Sequence, residues 1–144
     1  MASRYKKVLV PIDGSEQANE ALIEAAEIAK RYGAQLIVTT VVDDYLQITS
    51  PEQAQAIYEF TRKAGTEIVE KAIESIKDSE LEKVEGHVLK GDPRHSIVDY
   101  AKEENVDLVV IGSTGKGAIE RVLLGSVSEF VVRHSHCDVL VLRH

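Results

Sequence analysis

The run Leu108-Val109-Val110-Ile111, fenced by Asp107 on one side and Gly112 on the other, constrains this chain more than any other stretch. Four apolar residues in a row, three of them β-branched, leave no face for water. They suit a strand buried on both sides, as in a parallel sheet covered by helices. Comparable runs recur at Val8-Leu9-Val10-Pro11-Ile12, at Leu36-Ile37-Val38 with Val41-Val42, and at Val139-Leu140-Val141-Leu142. Segments of helical spacing lie between them. Strands alternating with helices build βαβ units, so the pattern predicts an α/β fold with a five-stranded open parallel sheet and helices on both faces. One domain over residues 1–144 is expected, a length that can bury about 68–70% of the unfolded surface.

The boundaries follow from turn and cap chemistry. Pro11 has no N–H, so pairing in the first strand should end near it. Ser15 caps a helix to about Tyr32, with Ala18, Leu22, Ala25, Ala26 and Ala29 on one face and Gly33 as its stop. The second strand spans Gln35 to Val42, and Asp43 to Thr49 is a polar connection. Ser50-Pro51-Glu52-Gln53 combines a cap, a proline in the first turn and a capping box. Apolar spacing carries that helix to about Lys77, with Gly65 expected to weaken or bend its middle. Val84 to Lys90, broken by Glu85 and His87, has the charges of an edge strand. Gly91-Asp92-Pro93 opens a third helix that ends near Glu104, with Ile97, Val98 and Ala101 inward. The last strand is Asp138 to Arg143.

After the central run come Gly112, Gly115 and Gly117, then Gly125 followed by Ser126-Val127-Ser128-Glu129. Ser126 with Glu129 three residues on has the form of a capping box, which predicts a helix from Ser126 to about Arg133. A glycine-rich turn between a buried strand and a helix start suits a phosphate group. Glycines permit close approach and positive φ, and the helix start adds unpaired N–H groups and a positive dipole end. Ser113, Thr114, Ser126 and Ser128 offer hydroxyl donors, and Lys116 and Arg121 offer charge. A Walker A loop is excluded, because Gly112-Ser-Thr-Gly-Lys-Gly is too short and no hydroxyl follows the lysine. A dinucleotide fingerprint starting at Gly115 fails at Glu120. Asp13, a carboxylate at a strand end beside Gly14, is a further candidate polar group. Its structural alternative is a cap for the helix beginning near Ser15.

The spacing Gly112-x2-Gly115-x9-Gly125-Ser126 resembles the nucleotide motif of the universal stress protein family, in its ATP-binding branch. The resemblance runs from Val8–Asp13 through Gly91-Asp92-Pro93 to the final strand. It implies a Rossmann-like sheet of order 3-2-1-4-5, whose winding reverses between strands one and four, where such sheets bind ligands. It implies ATP, with Mg²⁺ or Mn²⁺ expected to bridge the phosphates. Carried over, Asp13 holds the ribose, and the backbone around Pro11–Ile12 and Val41 holds the adenine. Gly112, Gly115, Gly125 and Ser126 line the phosphates, with Ser113, Thr114, Lys116, Val127 and Ser128 nearby. A regulatory stress-response role with slow or no hydrolysis is implied; the alternative is a nucleotide-independent dimeric interaction module on the same fold. Cys137-Asp138 departs from the family's frequent Cys-Pro, a change confined to the turn.

Other classes are disfavoured. Seventeen basic against 24 acidic residues leave a net charge of −7, so a nucleic-acid partner is not expected. Neither an 18-residue apolar run nor a charged-then-apolar leader is present, so neither a membrane span nor a signal peptide is expected, and the single cysteine, which excludes an internal disulfide, suits the expected cytoplasmic location. His134-Ser135-His136-Cys137 lacks further ligands at zinc spacing. Asp13-Gly14-Ser15-Glu16 lacks the loops of pyrophosphatases and adenylyltransferases. Val139-Leu140-Val141-Leu142 is an uncharged outer strand, which predicts a homodimer through Asp138–Arg143.

Overall fold

A computed structural model describes residues 4–42, 50–114 and 124–143. The elements in order are β1 (Lys7–Pro11), α1 (Glu16–Tyr32), β2 (Gln35–Val42) and α2 (Pro51–Ser75), then a short 3₁₀ turn at Lys77–Ser79. β3 (Val84–Lys90), α3 (Pro93–Glu103), β4 (Leu108–Gly112), α4 (Ser126–His134) and β5 (Asp138–Leu142) follow. The strands form one sheet in the order β3-β2-β1-β4-β5, and every pairing is parallel. This is the predicted Rossmann-like topology, with the edge placement of β3 as expected.

Strand alternation sorts the side chains into two cores. Val8, Val10, Leu36, Val38, Leu108 and Val110 point to one face, where α1 and α2 bring Leu22, Ala25, Ala29, Val69 and Ala72. Leu9, Ile37, Val109 and Ile111 point to the other, against Ile97 and Ala101 of α3 and Val131 of α4. The alanines of α1 let it lie close to the sheet: Ala21 and Ala25 have no exposed surface.

Three of the sequence-read caps are in place. Ser15 Oγ accepts from Ala18 N–H at 3.2 Å, Ser50 Oγ from Gln53 N–H at 3.3 Å, and Asp92 Oδ1 from Arg94 N–H at 2.9 Å. Gly33 stops α1 in the left-handed region at φ 66°. Gly65 does not bend α2, which runs unbroken through it. A Cβ there would sit 3.1 Å from Val42 Cγ1 and 3.2 Å from Thr40 Cγ2 and Val88 Cγ1, so the missing side chain seats the helix on β2 and β3. α2 stops at Ser75, short of Lys77, because the buried Ile76 turns the chain into the 3₁₀ turn. The connection Asp43–Thr49 lies outside the described residues.

Pro11 shapes the centre of the sheet. Lys6 C=O accepts from Gln35 N–H and Ile12 N–H donates to Thr39 C=O, so even-numbered residues of β1 bond towards β2. Odd-numbered residues therefore bond towards β4, and Pro11 has no N–H to give there. The registers agree. β1 pairs with β2 from Lys7 to Pro11, but with β4 only at Val8 and Leu9. The two central strands separate at their carboxyl ends.

Candidate functional site

A cavity of about 430 Å³ occupies that separation, lined by the ends of β1, β2 and β4 and by the first turns of α1, α3 and α4. Pro11, Ile12, Asp13, Val41, Gly112, Ser113, Thr114, Gly125, Ser126, Val127 and Ser128, all chosen from the sequence, border it. Gly115 and Lys116 lie outside the described residues, as do Gly117 and Arg121. Ser15, Ala18, Thr40, Pro93, Ile97 and Ile111 also line the cavity and were not selected. Ser15 and Pro93 were legible as helix starts, but nothing local shows that their helices begin at the same opening. Thr40 and Ile111 were readable only as strand residues.

Backbone direction accounts for several positions. The carbonyl of Thr39 takes the Ile12 N–H at 2.7 Å, beyond the last β1–β2 register pair, Pro11↔Thr39. Two residues on, Val41 directs its N–H and C=O to the same side, where β1 has already ended. Asp13 does not cap α1. Its Oδ1 accepts from Ser15 N–H at 2.9 Å, closing a turn around Gly14, which needs its positive φ of 85°. That leaves Ser15 to cap the helix. Gly112 packs against α1: a Cβ there would lie 3.3 Å from Gln17 O.

The expected capping box at Ser126 is not formed. Gly125 is the N-cap residue, with φ −75°, and provides no side-chain cap. Ser126 is already helical. The helix begins at Ser126 as expected, but Gly125 takes the cap position because the loop is tied back to the residue after β4: Gly125 N–H donates to Ser113 O at 2.6 Å, and Ser128 Oγ donates to the same oxygen at 2.7 Å. Two expectations change with this. Gly125 serves no positive φ, and its N–H is committed to Ser113. The buried Ser128 hydroxyl also holds the loop, so it does not serve as an outward donor. The first amides of α4, at Ser126 and Val127, meet no cap side chain and border the cavity.

Asp13 is the one ionisable side chain among the described lining residues. At the rim, beside Pro93, the Arg94 guanidinium holds the Asp92 carboxyl at a pKa of about 2, with help from the Arg94 N–H. On the α4 side, His134 sits in the last turn with Nδ1 3.1 Å from Phe130 O. Cys137 packs against the second core, and burial raises its pKa. Among the described residues no group of three or more His, Cys, Asp or Glu side chains could hold a metal ion. No helix among them is long and apolar enough to cross a membrane.

Fold and cleft together define a Rossmann-like α/β protein with its opening at the topological switch point. Within that class the chain belongs to the universal stress protein family, whose model matches residues 4–143. It is 36% identical over 141 residues to a universal stress protein of Methanocaldococcus jannaschii, covering 96% of this chain and 82% of that one. The solved universal stress protein UspA of Lactobacillus plantarum is 34% identical, with a TM-score of 0.85 over 98% of this chain and 99% of that one. A universal stress protein solved in complex with cAMP is 29% identical, with a TM-score of 0.76 over 97% and 98% of the two chains. The Archaeoglobus fulgidus protein solved in complex with dAMP is 26% identical, with a TM-score of 0.70 over 98% of each chain.

Proposed function

We propose that this chain is an adenine-nucleotide-binding universal stress protein, with ATP as its ligand and a regulatory rather than a high-turnover role. The observation that carries the reading is one cleft that gathers the separated ends of β1 and β4, Asp13 and the uncapped start of α4. Its volume of about 430 Å³ falls in the usual range for small-molecule sites. The complexes of relatives with cAMP and dAMP support an adenine nucleotide.

In this reading the amides of Ser126 and Val127 receive a phosphate, their orphan donors and the helix dipole favouring an anion. Ser113 and Thr114 line the floor, and the bare Gly112 lets α1 close that floor. Asp13 accepts from the ribose hydroxyls, held in place by its bond to Ser15 N–H. Val41 offers a donor and an acceptor side by side to the adenine edge, between Pro11 and Ile12. Gly115 and Lys116 belong to the same phosphate set by motif. Mg²⁺ or Mn²⁺ fits only as a passenger on the phosphates, because Asp13 is the single carboxylate among the described lining residues and Mg²⁺ keeps several waters. A cytoplasmic homodimer joined through β5 completes the proposal. Leu142 C=O accepts from the N–H of Ser113, the residue after β4, so Val139 and Val141 turn their backbone groups outward.

The test is to denature freshly purified protein, identify any nucleotide released, and melt the emptied protein with ATP and Mg²⁺. Ligand at a hundredfold over Kd should add about 2.7 kcal/mol, with GTP giving less. Asp13→Asn should weaken ATP binding and leave inorganic triphosphate largely unaffected. A melt indifferent to millimolar ATP replaces this reading with the nucleotide-independent interaction module.

A further inference from the structure

Helix α2 carries apolar groups on a face that the fold leaves in water. Its buried residues are Ala54, Gly65, Val69 and Ala72, yet Ile57 is 39% and Phe60 77% exposed. Ala56 and Ala64 are exposed as well. At spacings of three and four residues these side chains make one stripe along the first half of the helix. Phe60 is one of only two phenylalanines in the chain, and an aromatic left in water beside other apolar groups marks an interaction surface. Tyr58, on the other side of the helix, is already engaged, with Lys90 Nζ 4.6 Å from its ring centre.

The charges beside the stripe identify the partner. Glu59 and Lys63 stand one turn apart on the same flank, and Gln55 Nε2 steadies Glu59 with a hydrogen bond of 3.1 Å. We propose that this stripe is a self-association surface that takes α2 of a second copy, antiparallel, about a two-fold axis near Phe60. In antiparallel helix pairs the same flank of each helix meets its symmetry mate. Each Glu59 then lies beside the Lys63 of the other copy, twice over, while Phe60, Ile57 and the alanines close the seam. A parallel pair would set this flank against the opposite one, which carries Thr61 and Ile68, and give neither charge a partner on the other copy. α2 packs on β2 and β3, at the opposite end of the sheet from β5. One molecule can therefore use this surface with or without a partner on β5. Four modest side chains fall short of the roughly 800 Å² a side of a stable complex, so the association is weak and shows at high concentration.

Sedimentation velocity of the full chain over a wide concentration range tests this. The parent's weight-average mass should climb with concentration, towards twice its dilute value if the dilute species is a monomer and beyond twice if it is a β5 dimer, which presents two such surfaces. Phe60→Glu should abolish the climb with an unchanged helical circular dichroism signal. Glu59→Lys and Lys63→Glu should each abolish it alone, one flank becoming doubly basic and the other doubly acidic. An equimolar mixture of these two variants should associate again, as should the double reversal Glu59→Lys/Lys63→Glu. A parent of constant mass overturns the proposal. So does a Phe60→Glu variant that assembles like the parent, or a mixture that stays apart.

Discussion

Proline placed at successive positions of β5 separates the inward from the outward backbone of that strand. Leu142 C=O accepts from Ser113 N–H at 2.8 Å, so Leu140 shares its inward parity and Val139 and Val141 do not. Leu140→Pro deletes a ladder donor and orphans an acceptor on β4, a loss of about 1–3 kcal/mol. Leu140 also packs partly buried on the first core. Half of the roughly 1.5–3 kcal/mol of a fully buried leucine is lost with it. The sum is about 2–4 kcal/mol, a large share of the 5–15 kcal/mol typical of a domain. Val139→Pro deletes an N–H that faces away from the sheet and gives up part of one valine, about 1 kcal/mol. Urea titration gives the two destabilisations, and sedimentation equilibrium gives the masses. Leu140→Pro should unfold at clearly lower urea, while Val139→Pro should stay folded with its β5 pairing lost. Equal destabilisation by both would refute the parity argument. A monomeric parent at low concentration, or a Val139→Pro variant of parental mass, would refute pairing through β5.

Gly125→Asp supplies the side-chain cap that α4 lacks, and should stabilise the empty protein by only about a few tenths of a kcal/mol, because glycine is itself a tolerated N-cap, while abolishing ATP binding, because its carboxylate occupies the proposed anion position; paired melts with and without ATP check both halves. Gly86→Val should destabilise by about 1–3 kcal/mol, since a Cβ there would meet Val69 Cγ1 and lie 2.7 Å from Ile73 Cδ1; urea titration checks it. Asp92 is depressed from 3.8 to about 2, so its charge stabilises the fold above pH of about 3.8 and that contribution fades as pH falls to about 2. Asp92→Asn keeps an acceptor for the Arg94 N–H, so the stability gap between parent and variant, within the surface range of about 0.2–1 kcal/mol, should close across that window in acid titrations. Tyr5→Phe removes the main cause of the lowered Asp138 pKa, the 2.8 Å bond from Tyr5 Oη, and carbon-13 NMR should find Asp138 titrating closer to its ordinary value.

Strands and most helix starts were legible because each is decided locally. An apolar run such as Leu108–Ile111 has one way to satisfy both its faces, and Ser15, Ser50 and Asp92 reach only two or three residues to make their caps. Ser126 misled because Ser-x-x-Glu is a genuine cap pattern. What overrides it is Ser113, thirteen residues earlier, whose carbonyl holds Gly125 and Ser128. The same long-range tie turned Ser128 from a donor towards the cleft into a loop fastening. Gly65 was likewise read against its own helix, although its function is set by Thr40, Val42 and Val88 across the interface. Contacts of that kind have no signature in the spacing of neighbouring residues. The lining by Ala18 and Thr40 was missed for the same reason.

Pro11 has a further consequence. Most clefts between strands compete with the tendency of a sheet to zip shut, and a ligand must then supply the energy that keeps them apart. Here the hydrogen bond that would draw β1 onto β4 cannot be made by any rearrangement, because its donor is missing from the covalent chain. The opening is therefore present before any ligand arrives, and occupancy needs no separation of strands. Affinity is spent on recognition rather than on reorganisation. In the proposed reading, a nucleotide would enter this opening without first parting β1 from β4.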